Sequence, residues 1–209
     1  MKVERLILGE FQTNAYICWT DASKQCLVVD APDPSERLLD RIDELKLVPE
    51  VLLITHAHID HIGGLPEVKK AFPEMKVAAG EGAAEAFVRP SMNLSLLVGR
   101  PLKFPEPDVL LSEGSTIGIE GAGFTASIVE GHAPGSVCLV SEHKPHAVFT
   151  GDTVFQQSIG RTDLPGGDTN VLISGIRERI LSLPNESVLY PGHGPETTVE
   201  AERSNPFLK

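Results

Sequence analysis

The 209-residue chain has no long hydrophobic run; its longest unbroken apolar stretch is five residues, 15–19. A membrane-spanning helix needs about 20, so none is expected and no membrane partner is assigned. The opening Met1-Lys2-Val3-Glu4-Arg5-Leu6-Ile7-Leu8-Gly9 lacks the apolar core and the cleavage site of a signal peptide, which makes a cytoplasmic protein the expectation. Basic residues are scarce, 18 Lys and Arg against 29 Asp and Glu, for a net charge of −11. That balance repels phosphate backbones, and no Lys/Arg-rich block offsets it, so nucleic acid is not an expected partner. Cysteine is nearly absent. Cys18, Cys26 and Cys138 form no C-x-x-C pair and sit in apolar runs, as buried reduced thiols do. There is also no G-x-S-x-G nucleophile motif.

What is present is a globular composition, 41% hydrophobic and 22% charged, in a length that suits one domain over 1–209. The 19 glycines and 16 prolines cluster beside histidines and aspartates rather than in a linker. Strands are expected at 3–8, 14–19, 26–30, 51–54 and 76–79, and again at 116–120, 124–129, 137–141, 147–150 and 187–190. Helices are expected to open at Asp33-Pro34, with Asp33 as cap and Pro34 at the first position, and to cover 64–72, 169–183 behind Asp168, and 196–204. The stretch 88–107 has four prolines and little period, yet carries Met92, Leu94, Leu96, Leu97 and Val98, so it should cover something apolar. Strands and helices in both halves suggest two packed sheets with helices outside.

Five of the seven histidines and one aspartate share a local grammar: a buried strand, then a polar group beside glycine or proline. The strand 51–54 leads into Thr55-His56-Ala57-His58-Ile59-Asp60-His61-Ile62-Gly63-Gly64. Similar approaches lead to Gly131-His132, Gly151-Asp152 and Gly192-His193. His56 and His58, two apart in extended chain, point the same way, while Asp60 and His61 follow a turn and reach a second spot. Neutral imidazole and carboxylate suit zinc, iron or manganese. Each of these groups alone is more simply a hydrogen-bonded turn or core residue. Four within six residues are not. Seven donors divide over two divalent ions with a shared carboxylate, the arrangement that generates a hydroxide. His143 and His146, around Lys144-Pro145, are expected at the surface.

The H-x-H-x-D-H run with its later partners resembles the signature of the metallo-β-lactamase superfamily. The resemblance implies an αββα sandwich, two mixed β-sheets flanked by helices, with a metal site along one edge. Within that superfamily, Thr13-Asn14-Ala15-Tyr16, Ser158-Ile159-Gly160-Arg161-Thr162-Asp163 and Tyr190-Pro191-Gly192-His193-Gly194-Pro195 look like glyoxalase II-type hydrolases, as does the ending Asn205-Pro206-Phe207-Leu208. It implies that His56, His58 and His132 hold one metal, that Asp60, His61 and His193 hold a second, and that Asp152 bridges them. Asp60 and Asp152 are then also the catalytic carboxylates, and two Zn2+ ions the leading cofactor, with iron or manganese as alternatives. Arg161 and Asp163 are expected to pair in a charged turn and so brace the Asp152 loop. Sixteen residues follow His193, too few for the helical glutathione-binding domain of typical glyoxalase II enzymes. The expected activity is hydrolysis of a small-molecule thioester such as S-lactoylglutathione. The alternatives are a persulfide dioxygenase with one iron, and hydrolysis of a lactone or other acyl group.

Overall fold

A computed structural model describes residues 1–209. The chain begins with β1 (Lys2–Leu8), β2 (Thr13–Trp19), β3 (Gln25–Val29), β4 (Val48–Ile54), β5 (Lys76–Gly80) and β6 (Val109–Leu111), which pair in that order into one sheet. β1, β2 and β3 are antiparallel neighbours; β3 through β6 run parallel. The parallel crossovers carry α1 (Glu36–Glu44), α2 (Ile59–Ile62), α3 (Leu65–Ala71) and α4 (Ala84–Val88). The second half adds β7 (Thr116–Ile119), β8 (Ala122–Ile128), β9 (Val137–Ser141) and β10 (Ala147–Gly151), then the small hairpin of β11 (Val154–Phe155) and β12 (Ser158–Ile159). It continues with α5 (Thr169–Gly175), β13 (Val188–Pro191), β14 (Thr197–Thr198) and α6 (Val199–Glu202). The second sheet has the order β14-β13-β10-β9-β8-β7, with β10 and β13 parallel.

Strand alternation builds the layers. On β2, Tyr16 and Cys18 face the other sheet, while Ile17 faces the helices; on β4, Leu53 faces inward and Leu52 and Ile54 outward. The inter-sheet core joins Tyr16, Leu27 and Leu53 to Phe124, Leu139 and Phe149. Outside the first sheet lie Leu38, Ile42, Leu65, Val68 and Phe87 from the helices. Outside the second lie Leu172, Ile176 and Ile180. The result is the αββα sandwich that the resemblance implied.

Several boundaries differ from expectation. α1 starts at Glu36, behind Ser35, not at Asp33-Pro34. The preceding residues are committed elsewhere: Asp30 N–H donates to Leu53 O and Ala31 N–H to His61 O, and Asp33 turns outward to pair with Arg100. Asp168 does cap its helix, accepting from the N–H groups of Asn170 and Val171. That helix ends at Gly175 and widens into a π turn over Ile176–Ile180. The last expected helix is shorter because Thr197 and Thr198, both β-branched, extend the sheet beside Leu189 and Val188 first. Cys18, Cys26 and Cys138 are free and buried, as expected. Burial pushes the thiols of Cys26 and Cys138 up to about 12, so neither is a nucleophile at neutral pH.

Candidate metal centre

The strands that lead to the polar groups all point the same way, because β8 and β10 are each antiparallel to β9 and β13 is parallel to β10. Their C-terminal ends meet the end of β4 along one edge of the sandwich, where Val137 N–H donates to Thr55 O at 2.9 Å. All seven expected donors converge there. Nitrogen and oxygen donors of His56, His58 and His132 form one compact group, those of Asp60, His61 and His193 a second, and His56, His61 and Asp152 a third between them. His143 and His146 join none of these groups; His143 Nε2 meets Gly121 O and His146 Nδ1 meets Ser141 O. His143 is exposed, while His146 is half-buried, more enclosed than expected.

The distances fit metal ions. His132 Nε2 lies 3.2 Å from His56 Nε2 and 3.1 Å from His58 Nδ1. Three nitrogens held about 2.0–2.1 Å from one tetrahedral ion stand about 3.3 Å apart. Ring nitrogens this close either share a hydrogen or face one cation. The buried atoms His61 Nε2 and Asp152 Oδ1 have no hydrogen-bond partner. Asp152 stands between the sets, Oδ1 3.3 Å from His61 Nε2, and Oδ2 3.7 Å from His132 Nε2 and 3.6 Å from His193 Nε2. On the far side, Asp60 Oδ2 is 3.1 Å from His193 Nε2 and 3.5 Å from His61 Nε2.

The rings are aimed from behind. His61 Nδ1 meets Asp30 Oδ2 at 2.7 Å, His132 Nδ1 meets the backbone carbonyl of Arg161 at 2.8 Å, and His56 Nδ1 lies 3.2 Å from Thr55 Oγ1. Each contact places a donor hydrogen on one nitrogen and leaves the other free for a metal. Asn14 Nδ2 donates to the carbonyls of Pro191 and Gly194, and Tyr16 Oη donates to Pro191 O, pinning the loop that carries His193. Asp30, Asn14 and Tyr16 are contributors that the sequence reading did not assign. Asn14 and Tyr16 lay in a segment that carried the resemblance, but Asp30 carried no signal. Arg161 and Asp163 pair as expected, at 2.7 Å in a two-point contact, and the contact of Arg161 with the site is its backbone carbonyl, on His132 Nδ1 rather than on the Asp152 loop. Gly192 is needed for close approach, because a Cβ there would stand 2.2 Å from Asp152 Oδ1 and 2.6 Å from His61 Cε1.

The electrostatics divide the two sets. Burial, with the neighbouring rings, holds the pKa of His56 well below its ordinary value, and that of His58 is pushed down to about 3. Burial also lowers that of His132. His61 is buried too, but Asp30, Asp60 and Asp152 outweigh the burial and raise its pKa. His193 follows: burial opposes, while the hydrogen bond to Asp60 and the charge of Asp152 raise it. Burial works against the Asp60 and Asp152 carboxylates, and His61 and His193 outweigh it, keeping both below the usual range. A ligand imidazole must lose its proton to bind metal. On acidification, protons are therefore expected to compete first at His61 and His193, so that an ion held by that set would leave before one held by His56, His58 and His132. Titrating metal content of metal-loaded protein from pH 8 to pH 5 checks this; simultaneous release, or the opposite order, contradicts it.

Fold and site together define a metal-dependent enzyme scaffold in which two sheets present His and Asp donors at one edge. The chain belongs to the metallo-beta-lactamase superfamily, whose sequence profile matches residues 8–193. It is 36% identical to the hydroxyacylglutathione hydrolase GloC of Haemophilus influenzae, with all of this chain and 98% of that protein aligned. Among solved structures, BLEG-1 B3 metallo-beta-lactamase superposes with a TM-score of 0.93 at 37% identity over the full length of both chains. TTHA1623 in a di-iron-bound form superposes with a TM-score of 0.84 at 33% identity, covering 98% of this chain and 100% of that one. Fold and donor chemistry imply divalent metal ions.

Proposed function

We propose that this protein is a binuclear metallohydrolase that cleaves small-molecule thioesters, with S-acylglutathiones such as S-lactoylglutathione as the leading substrates. The observation that carries the hydrolytic reading is the complete second donor set, Asp60, His61 and His193, on the far side of Asp152 from His56, His58 and His132. A mononuclear iron dioxygenase would need one set of ligands only, at the positions of His56, His132 and Asp152. The thioester assignment rests on the full-length similarity to a hydroxyacylglutathione hydrolase.

His56, His58 and His132 would hold one ion, Asp60, His61 and His193 the other, and Asp152 would touch both. Zn2+ is the proposed metal, since imidazole and carboxylate donors in this number suit it; the di-iron relative makes iron the alternative. When bound, such a pair supplies Lewis acidity and a water whose pKa approaches neutrality. The protein's share is placement. Lowered pKa values keep His56, His58 and His132 neutral with lone pairs available. The depressed carboxylates of Asp60 and Asp152 stay ionised and act as ligands rather than as proton carriers. In the net reaction, water adds across the acyl C–S bond. A C–O bond forms, the C–S bond breaks, the sulfur leaves as a thiol, and the acid gives its proton to solvent.

Hydrolysis of S-lactoylglutathione by zinc-loaded protein, beside a chelator-stripped control, tests the proposal. Metal-dependent release of glutathione is expected. Oxygen consumption with glutathione persulfide, in place of hydrolysis, would replace the reading with the dioxygenase one.

A further inference from the structure

The donors floor an open cleft of about 550 Å³ whose walls are apolar out of proportion to its polar groups. Phe11, Leu94, Leu97 and Val98 from the first half of the chain line it, with Phe155, Ile159 and Leu164 from the second. A second cleft of about 340 Å³ continues from it past Phe11, Ile59, Asp60 and Val98 toward Leu8, Pro32 and Leu102. Leu97 is 70% exposed, Phe11 55%, Leu96 54% and Val98 42%. Large apolar side chains gathered in one exposed patch beside a reactive site mark a surface that is covered when the site is used. The cations of these clefts are already engaged: Arg161 by Asp163 and Arg100 by Asp33. The remaining charged group at the mouth, Glu10, is negative.

The wall is held in place. Asn93 is buried, its side chain donates to Ala86 O and Leu102 O, and its carbonyl accepts from Ile59 N–H beside His58. Ser95 N–H closes back onto Asn93 Oδ1. Leu94 between them has φ 65°, a left-handed conformation that leucine adopts only where its surroundings enforce it. A strained backbone that aims Leu94, Leu97 and Val98 over the donors is a fixed surface rather than a loose cover.

Resting on the thioester reading above, we propose that Leu94, Leu97, Val98 and Phe11 form an acyl-binding wall, so that within the S-acylglutathiones extended apolar acyl groups are preferred to short ones such as lactoyl. The thiol carriers of biological thioesters are polar and charged, and above the metal floor the two arginines of these clefts are already paired with carboxylates. The acyl group is the part of such a molecule that matches these walls.

The test compares zinc-loaded protein on acetyl-, lactoyl- and octanoylglutathione, and measures binding of the unhydrolysable thioethers S-methyl- and S-octylglutathione by calorimetry. We expect kcat/KM for octanoyl to exceed that for acetyl at least about tenfold, the effect of burying roughly two methylenes. S-octylglutathione should bind tighter than S-methylglutathione by a similar factor. Leu97→Asp, an exposed position, should reduce both ratios with metal content unchanged. Hydrolysis with a flat or inverted chain-length dependence overturns the acyl wall and leaves the thioester reading standing. No hydrolysis of any thioester sinks that reading instead, and the thioether pair then still decides the wall: equal binding overturns it. If Leu97→Asp dissociates an oligomer and leaves both ratios unaltered, the patch is a contact between copies and the proposal is wrong.

Discussion

Asp152→Ala should strip both metals from the protein and lower kcat/KM for thioester hydrolysis by at least about 10³-fold, roughly 4 kcal/mol of transition-state stabilisation. Asp152 is the carboxylate whose two oxygens stand near both donor sets, 3.3 Å from His61 and 3.6–3.7 Å from His193 and His132. Its loss removes a ligand from each proposed ion. It also leaves His61, raised in pKa partly by Asp152, with less reason to be charged, so the second set does not collapse by repulsion alone. His193→Ala supplies the contrast. His193 stands near Asp60 and Asp152 but belongs to no group containing His56, His58 and His132. One metal should be lost and one retained. Metal analysis beside steady-state rates separates the outcomes: an Asp152→Ala protein with two metals and an intact rate would remove Asp152 from the bridging position, and equal loss of both ions in His193→Ala would dissolve the division into two sets.

Six of the seven donors were legible because they share one grammar, a buried strand followed within a few residues by a His or Asp close to glycine or proline; Asp60 was legible from its place in the H-x-H-x-D-H run. The physical cause is visible around Gly192 and Gly160: a Cβ on Gly192 would press on Asp152 Oδ1, and one on Gly160 would lie 1.9 Å from Asp152 O. Ligands packed this closely require neighbours without side chains, and such neighbours leave a mark in the sequence. Buried strands were legible for a related reason. Short apolar runs with β-branched residues, such as Val51-Leu52-Leu53-Ile54, are too short for a buried helix and suit the interior of a sheet.

The supports were not legible. Asp30 reads as the last residue of a strand, but it sits just beyond β3 with φ 60°, and its role depends on Thr55 and His61, both brought there by tertiary packing. The same contacts explain the misplaced start of α1. Local propensity favours a helix opening at Asp33-Pro34, whereas the backbone from Asp30 to Ala31 is spent on hydrogen bonds to Leu53 and His61. The stretch 88–107 is similar. Its apolar content was evident, but nothing local announces that Asn93 is buried and ties the segment to Ile59, which turns Leu94, Leu97 and Val98 toward the donors. In each case a long-range polar contact overrides local sequence preference.

Asp30→Asn should weaken metal binding at the His61 set by about 10–100-fold while leaving the His56, His58 and His132 set occupied. Asp30 Oδ2 accepts from His61 Nδ1 at 2.7 Å and from Thr55 Oγ1 at 2.9 Å, and Oδ1 accepts from Thr55 N–H at 2.8 Å. The carboxylate therefore faces three donors with two oxygens, and has no hydrogen of its own to place. An amide of the same shape must turn its NH2 toward one side. Turned toward Thr55, it opposes a backbone N–H; turned toward His61, it donates to Nδ1 and drives the imidazole hydrogen onto Nε2, the atom that must face the metal. The second orientation keeps the ring in position and gives it the wrong tautomer. Either way a buried donor loses its partner, which costs the fold about 1–3 kcal/mol. Asp30→Ala should cost more, about 3–5 kcal/mol, because it leaves the raised His61 without its nearest counter-charge. Chelator competition for each metal, with thermal unfolding of the metal-free proteins, distinguishes these effects. Wild-type affinity at both sites in Asp30→Asn would show that the ring of His61 is aimed by packing alone, with the carboxylate behind it serving only the Thr55 turn.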